Sequence, residues 1–86
     1  MAKYEILLRQ SVLKKDLPRL PKHDARKIVQ AICALADNPR PMGVQKLSGR
    51  EEYRIRQGNF RIVYSIQDEE QSVWIVKVGH RRDVYR

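Results

Sequence analysis

From Tyr53 onward the large apolar residues of this chain alternate with polar ones, and Gly58-Asn59 interrupts the alternation in its middle. Period two marks a strand with one buried face. Gly-Asn between two such runs is among the dipeptides that close a two-residue hairpin. That turn predicts one register, with Gln57 opposite Phe60, Arg56 opposite Arg61, Ile55 opposite Ile62 and Tyr53 opposite Tyr64. The apolar pairs then share one face, as a buried face demands. The other face holds Arg56 directly across from Arg61, with Arg54 two residues along. Exposed strands do carry cations to stay soluble and to block edge pairing. Like charges placed directly opposite weaken a strand pair, however, and arginine has the planar fork that matches phosphate oxygens.

A third run, Val73 to Val78, follows the acidic turn Asp68-Glu69-Glu70. Pairing Ile62 with Val78, Tyr64 with Val76 and Ile66 with Trp74 puts every large apolar residue inside, with an odd-length loop around Glu70. The same register sends Lys77, and Arg81 if the strand continues, to the face of Arg54, Arg56 and Arg61. Five cations from three strands then converge on one open sheet face, and Glu69 and Glu70 fall at the far turn.

Upstream, Lys3–Leu8 reads as a first strand with Tyr4, Ile6 and Leu8 on one side. Ser11 is the expected N-cap of a short helix with Val12, Leu13, Leu17 and Leu20 inward, which Pro18 ends or kinks. Ala25, Ile28, Val29, Ile32, Leu35 and Ala36 recur at helical spacing over Lys22–Asp37, and Asn38-Pro39-Arg40-Pro41 stops that helix. Cys33, one step off the stripe, reads as inert packing. The order is β-α-α-β-β-β. It predicts an α+β domain of two layers, with two N-terminal helices on one face of a small, mainly antiparallel four-stranded sheet. The second face is left to water or a ligand.

Length supports one domain, 1–86, since 86 residues leave no room for a second. A single cysteine excludes an internal disulfide and points to a reducing cytoplasm. Without a signal-like or membrane-spanning apolar run, the expectation is a soluble protein with no membrane partner. The net charge is +8, which favours nucleic acid first, then an anionic membrane or an acidic protein. Residues 1–49 carry ten cations and four carboxylates, whereas residues 50–86 carry eight and six. Much of the excess therefore lies on the helices, where a solvated face accounts for it, so the strand arginines are the informative ones.

Tyr53-Arg54-Ile55-Arg56, Asn59-Phe60-Arg61-Ile62-Val63-Tyr64 and Val78-Gly79-His80-Arg81-Arg82-Asp83-Val84-Tyr85 together resemble the RelE/ParE toxin superfamily. Lys46-Leu47-Ser48-Gly49 and the helix end Leu35-x-x-Asn38-Pro39 fit as well, so the resemblance covers essentially the whole chain. It implies a toxin held in check by a cognate antitoxin, which meets operator DNA only through that complex. In the RelE branch it further implies cleavage of mRNA in the ribosomal A site without metal or cofactor. The functional positions of that branch fall here on Arg54, Arg56, Arg61, Arg81 and Tyr85. The ParE branch, similar in fold, poisons DNA gyrase and generally lacks the full set. A third reading is a plain module that binds RNA or operator DNA without cutting it.

Cleaving RNA beside a 2′-hydroxyl needs that hydroxyl deprotonated, the phosphate charge stabilised and the leaving 5′-oxygen protonated. Arg54, Arg56 and Arg61 suit the middle task as a cationic clamp, with Lys46, Lys77 and Arg82 as further phosphate contacts. Tyr85 can act as base where cations bring its hydroxyl down from an ordinary pKa of about 10. Arg81, which can exchange roles with Arg82, would steady the leaving group. Arginine is a poor general acid because it rarely releases its proton, so the ribosome is expected to supply orientation. Arginines at 54 and 56 stand where better-known relatives carry lysines, which removes a titrating amine. The five residues that follow Arg81 are too few for a further helix, which leaves the placement of Tyr85 open. His80 titrates near neutrality and is a further acid–base candidate, although alternation turns it toward the core while the strand lasts. His23 reads as a surface residue. Asp83, Glu51 and Glu52 lack metal-site spacing and read as partners for arginines.

Overall fold

The structure, a computed structural model, describes residues 3–47 and 51–82. Five strands lie in one sheet among these residues: β1 (Glu5–Leu8), β2 (Gln45–Lys46), β3 (Glu52–Gln57), β4 (Phe60–Gln67) and β5 (Ser72–His80), in the spatial order β1-β5-β4-β3-β2. β1 runs parallel to β5, and the other neighbours are antiparallel. One α-helix, α1 (Lys22–Ala34), and one π-helical turn, Val12–Asp16, precede β2. The α+β class and the mainly antiparallel sheet agree with expectation; the four-stranded layout does not, because β2 adds an edge beside β3. Two residues are too few to show an alternation, so β2 leaves no periodic signal in the sequence.

The core gathers Ile28, Ile32 and Leu35 of α1, Val12 of the π-turn, and Ile62, Tyr64, Ile66, Val73, Ile75 and Val78 of the two long strands. Tyr4, Ile6 and Leu8 of β1 pack against it, as do Tyr53, Ile55 and Phe60. One face of the sheet is therefore apolar, as the alternation requires.

The β3–β4 hairpin has the expected register, including Arg56 opposite Arg61 and Tyr53 opposite Tyr64. Gly58 has φ +61°, the left-handed conformation required of the first residue in one of the favoured two-residue turns. The β4–β5 register differs. Ile62 pairs with Val78 as expected, but Tyr64 pairs with Ile75 and Ile66 with Val73. A β-bulge between Val63 and Tyr64 leaves Val76 as the extra residue of β5. A slip of one residue reverses every later side chain, so Ile75 and Val73 enter the core and Trp74 is turned out, 39% exposed.

The first helix also departs from expectation. Ser11 has helical dihedrals and makes no capping hydrogen bond, and Leu13 is half exposed. Pro18 limits the segment to a single turn, closed by the Leu17 amide donating to the Val12 carbonyl at 2.9 Å. This short turn sets Asp16 beside β5, where Oδ2 accepts a hydrogen bond from the Val78 amide at 3.0 Å. The carboxylate thus occupies β5's edge just past the end of β1. In α1, Val29 is 44% exposed and Cys33 is exposed, so neither packs inside as expected.

The segment after α1 is held by side chains from the sheet. The Tyr64 hydroxyl donates to the Pro39 carbonyl at 2.7 Å, and burial pushes its pKa up to about 12. Arg40 donates two hydrogen bonds to Asp68, at 3.2 and 2.9 Å, and sits 5.3 Å from the centre of the Tyr53 ring. Tyr4 donates to the same carboxylate at 2.8 Å. Asp68 therefore ties the start of β1 and the loop before β2 to the β4–β5 turn.

Candidate nucleic-acid interface

The centre of the helix-free face is Arg61. Its neighbour Ile62 is fully buried in the core, so alternation along β4 turns Arg61 to the opposite side. Even there it is only 9% exposed. Among the described residues its Nε has no hydrogen-bond partner, and Nη1 makes only a long 3.5 Å contact to the Phe60 carbonyl. Burial lowers its pKa first, and the positive charges of Arg56, Arg54 and Arg81 lower it further. An arginine so shifted still carries its charge at neutral pH.

Arg56 is exposed directly across the strand pair from Arg61. Arg54, two residues away and opposite Val63, donates through Nη2 to Gln45 Oε1 of β2. The short edge strand thus orients one member of the cluster. Lys77 pairs with Val63 from the other side and brings a fourth cation to this face, half-buried. Past the end of β5, the Arg81 amide donates to the Asn59 carbonyl at 2.9 Å, which keeps Arg81 in line with Arg61. Ion pairs among the described residues join Lys3 to Asp37, Arg40 to Asp68 and Lys46 to Glu51. None of them neutralises Arg56, Arg61 or Arg81. Chemically this is a fixed cluster of guanidinium donors around a partly desolvated charge, suited to a phosphodiester.

The family model for the ParE toxin of the parDE type II toxin–antitoxin system matches residues 7–85. The chain belongs to the RelE/ParE toxin superfamily. It is similar to toxin RelG of Mycobacterium tuberculosis, 36% identical over 77 residues that cover 85% of this chain and 86% of RelG. Its fold matches the RelE chain of an archaeal RelE–RelB complex from Pyrococcus horikoshii with a TM-score of 0.82 and 28% identity, covering 95% of this chain and 99% of that one. The RelBE2 toxin–antitoxin complex of M. tuberculosis gives 0.81 and 25%, covering 93% and 100%. The protein is a type II toxin of the RelE family.

In this RelE-family toxin two other sequence candidates, Lys46 and His80, fall away from the arginines. Lys46 pairs with Tyr53, whose ring packs on the core side, and its ammonium lies 3.8 Å from Glu51. His80 is still within β5, opposite Phe60, and their rings meet edge-on at 5.7 Å on the helix side of the sheet. Its Nδ1 accepts a hydrogen bond from the Arg82 amide at 3.3 Å. Arg82 is exposed in the turn after β5. Tyr85 and Asp83 lie outside the described residues, as do Ser48 and Gly49. The aromatic residue that sequence reasoning missed on the arginine face is Trp74. Its only signal was the continuous apolar run Val73-Trp74-Ile75-Val76, which does not say where a bulge falls.

Proposed function

We propose that this toxin is a ribosome-dependent mRNA endoribonuclease that acts in the cytoplasm and is neutralised by a cognate antitoxin. The observation that carries the reading is Arg61: a buried guanidinium, facing Arg56 and flanked by Arg54 and Arg81, with no carboxylate paired to it among the described residues. A charge kept in that position destabilises the fold and becomes favourable when a phosphate arrives. Arg54, Arg56 and Arg61 then hold the scissile phosphate and its developing charge. Arg81 steadies the departing 5′-oxygen, and Tyr85 takes the proton of the attacking 2′-hydroxyl. Permanently charged arginines transfer protons poorly, so the ribosome's positioning of the mRNA has to supply part of the acceleration.

The helix side suits an antitoxin. Leu13, Val29 and Met42 are exposed on the helices and the loop after α1, and Met42 lines a groove of about 490 Å³ with Ala31, Leu35, Pro41 and Ile55. An acidic and apolar segment would cover these groups and oppose the net charge of +8.

The experiment is purified toxin added to mRNA with and without programmed ribosomes, with 5′ ends mapped by primer extension. New ends only with ribosomes, absent for Arg61→Ala and Arg81→Ala that still fold, are the expected outcome. The family match to a ParE toxin favours a second reading, a gyrase poison. Growth arrest with DNA damage and intact mRNA would establish it instead.

A further inference from the structure

Trp74 is the chain's one tryptophan, and it stands on the arginine face. Its cross-strand partner is Ser65, while the neighbouring pair Tyr64 and Ile75 is fully buried on the other side. The same alternation places Arg61, beside buried Ile62, on the Trp74 side. Four residue steps along β4 separate Arg61 from Ser65, about 13 Å at the usual rise of a strand. Between them lies the row Lys77, Val63 and Arg54.

This exposure is not a default of the sequence. Without the bulge, Trp74 would oppose Ile66 and enter the core, and Ile75 would point outward. The fold inserts Val76 and turns out its largest apolar side chain, the kind of re-aiming for which bulges are used beside functional sites. The surroundings of the ring grade from cationic to acidic. On one side lies the lysine and arginine row. On the other, Glu52 is beyond Ser65 and Glu5 heads the next row of β1. A phosphate backbone is therefore held to the cationic side, and what can cover the ring is neutral, flat and attached to that backbone.

We propose that Trp74 is a stacking platform for a base of single-stranded RNA that flanks the phosphate clamped by Arg54, Arg56, Arg61 and Arg81. This rests on the RNA-cleaving reading and extends its contact surface by one base. Stacking on an aromatic ring is tolerant of base identity because every base has a π face. Leu7, half-buried and paired with Trp74 on β1, borders the ring on the side away from Ser65.

Because no other tryptophan is present, emission excited where tyrosine is silent reports on this ring alone. The probe is a short 2′-O-methyl oligoribonucleotide, which cannot be cut, with affinity followed by anisotropy of an end label. The full-length toxin is titrated with this strand and with a copy carrying abasic positions. Quenching by the intact strand and not by the abasic one is expected. Trp74→Ala should weaken binding by about 5- to 150-fold, the range of one aromatic stack converted at tenfold per 1.4 kcal/mol. Trp74→Phe should weaken it less and guards against a fold defect in the alanine variant. An oligonucleotide that binds without changing the emission, and binds Trp74→Ala as tightly as wild type, would overturn the platform. If Arg61→Ala still weakens that binding, the cationic clamp survives; if Arg61→Ala also binds like wild type, both fall. Quenching by the purified cognate antitoxin and not by the oligonucleotide would assign the face to protein and overturn the proposal.

Discussion

Arg61 carries a full charge where burial and three neighbouring arginines all oppose it. Removing a buried charge in favour of an apolar side chain of similar volume is often neutral or stabilising. Arg61→Met is therefore expected to raise stability by about 1 kcal/mol, or about 4–8 °C in Tm for a domain of this size, while abolishing growth arrest. Thermal melting beside a toxicity assay checks it. A lower melting temperature would show that the stem of Arg61 contributes more through packing than its charge costs. Activity and stability oppose each other at this one position, the usual relation where a site is preorganised for a charge it does not yet hold.

At the scale of elements, β5 depends on a side chain for part of its pairing. β1 ends at Leu8, opposite Ile75, and the next outward amide hydrogen bond is the one from Val78 to Asp16. A hydrogen bond to a charged acceptor contributes on the order of 1.5 kcal/mol, less where water competes. Asp16→Ala is expected to cost about 1 kcal/mol in urea unfolding and to speed amide exchange at Val78. Unchanged exchange at that amide would mean that the edge is protected by something else. The π-turn explains why the residue is well placed: Pro18 forbids a longer helix, and a single turn leaves Asp16 facing the strand. Sequence periodicity identified β3, β4, β5, β1 and α1, because each has an apolar face of its own. It had no purchase on the π-turn, on β2 or on the bulge, whose positions follow from contacts between elements.

Across the whole molecule, Asp68 joins three distant segments. Its carboxyl is held below the ordinary range by Arg40 first and by Tyr4 second. A carboxyl with a depressed folded pKa contributes stability above its unfolded value, near 3.9, and loses it as pH falls through the folded value. Asp68→Asn is accordingly expected to melt lower at neutral pH and to show a shallower loss of Tm below about pH 4. Parallel pH profiles for the two proteins would refute that role. The sheet face makes a separate prediction. For a single strand, the slope of log affinity against log salt is roughly −0.7 per phosphate neutralised. Arg56→Ala should flatten the slope by about 0.7, and an unchanged slope would remove Arg56 from the contact.

Gly58-Asn59 and the alternation around it determined, from sequence alone, that Arg56 opposes Arg61 on a face turned away from the core. A two-residue turn permits one register, and burial of Tyr53, Ile55, Ile62 and Tyr64 permits one orientation. The resemblance to RelE/ParE toxins was likewise legible in short motifs kept in order and spacing. What tertiary structure alone decided lies where two registers bury comparable apolar area. Val73-Trp74-Ile75-Val76 can present either alternate set inward, and only packing against Tyr64, Ile66 and α1 selects Val73 and Ile75. That selection turned Trp74 toward the arginines. The same packing kept β5 extended through His80, left its imidazole against Phe60, and gave the arginine face to cations that keep their charge at every physiological pH.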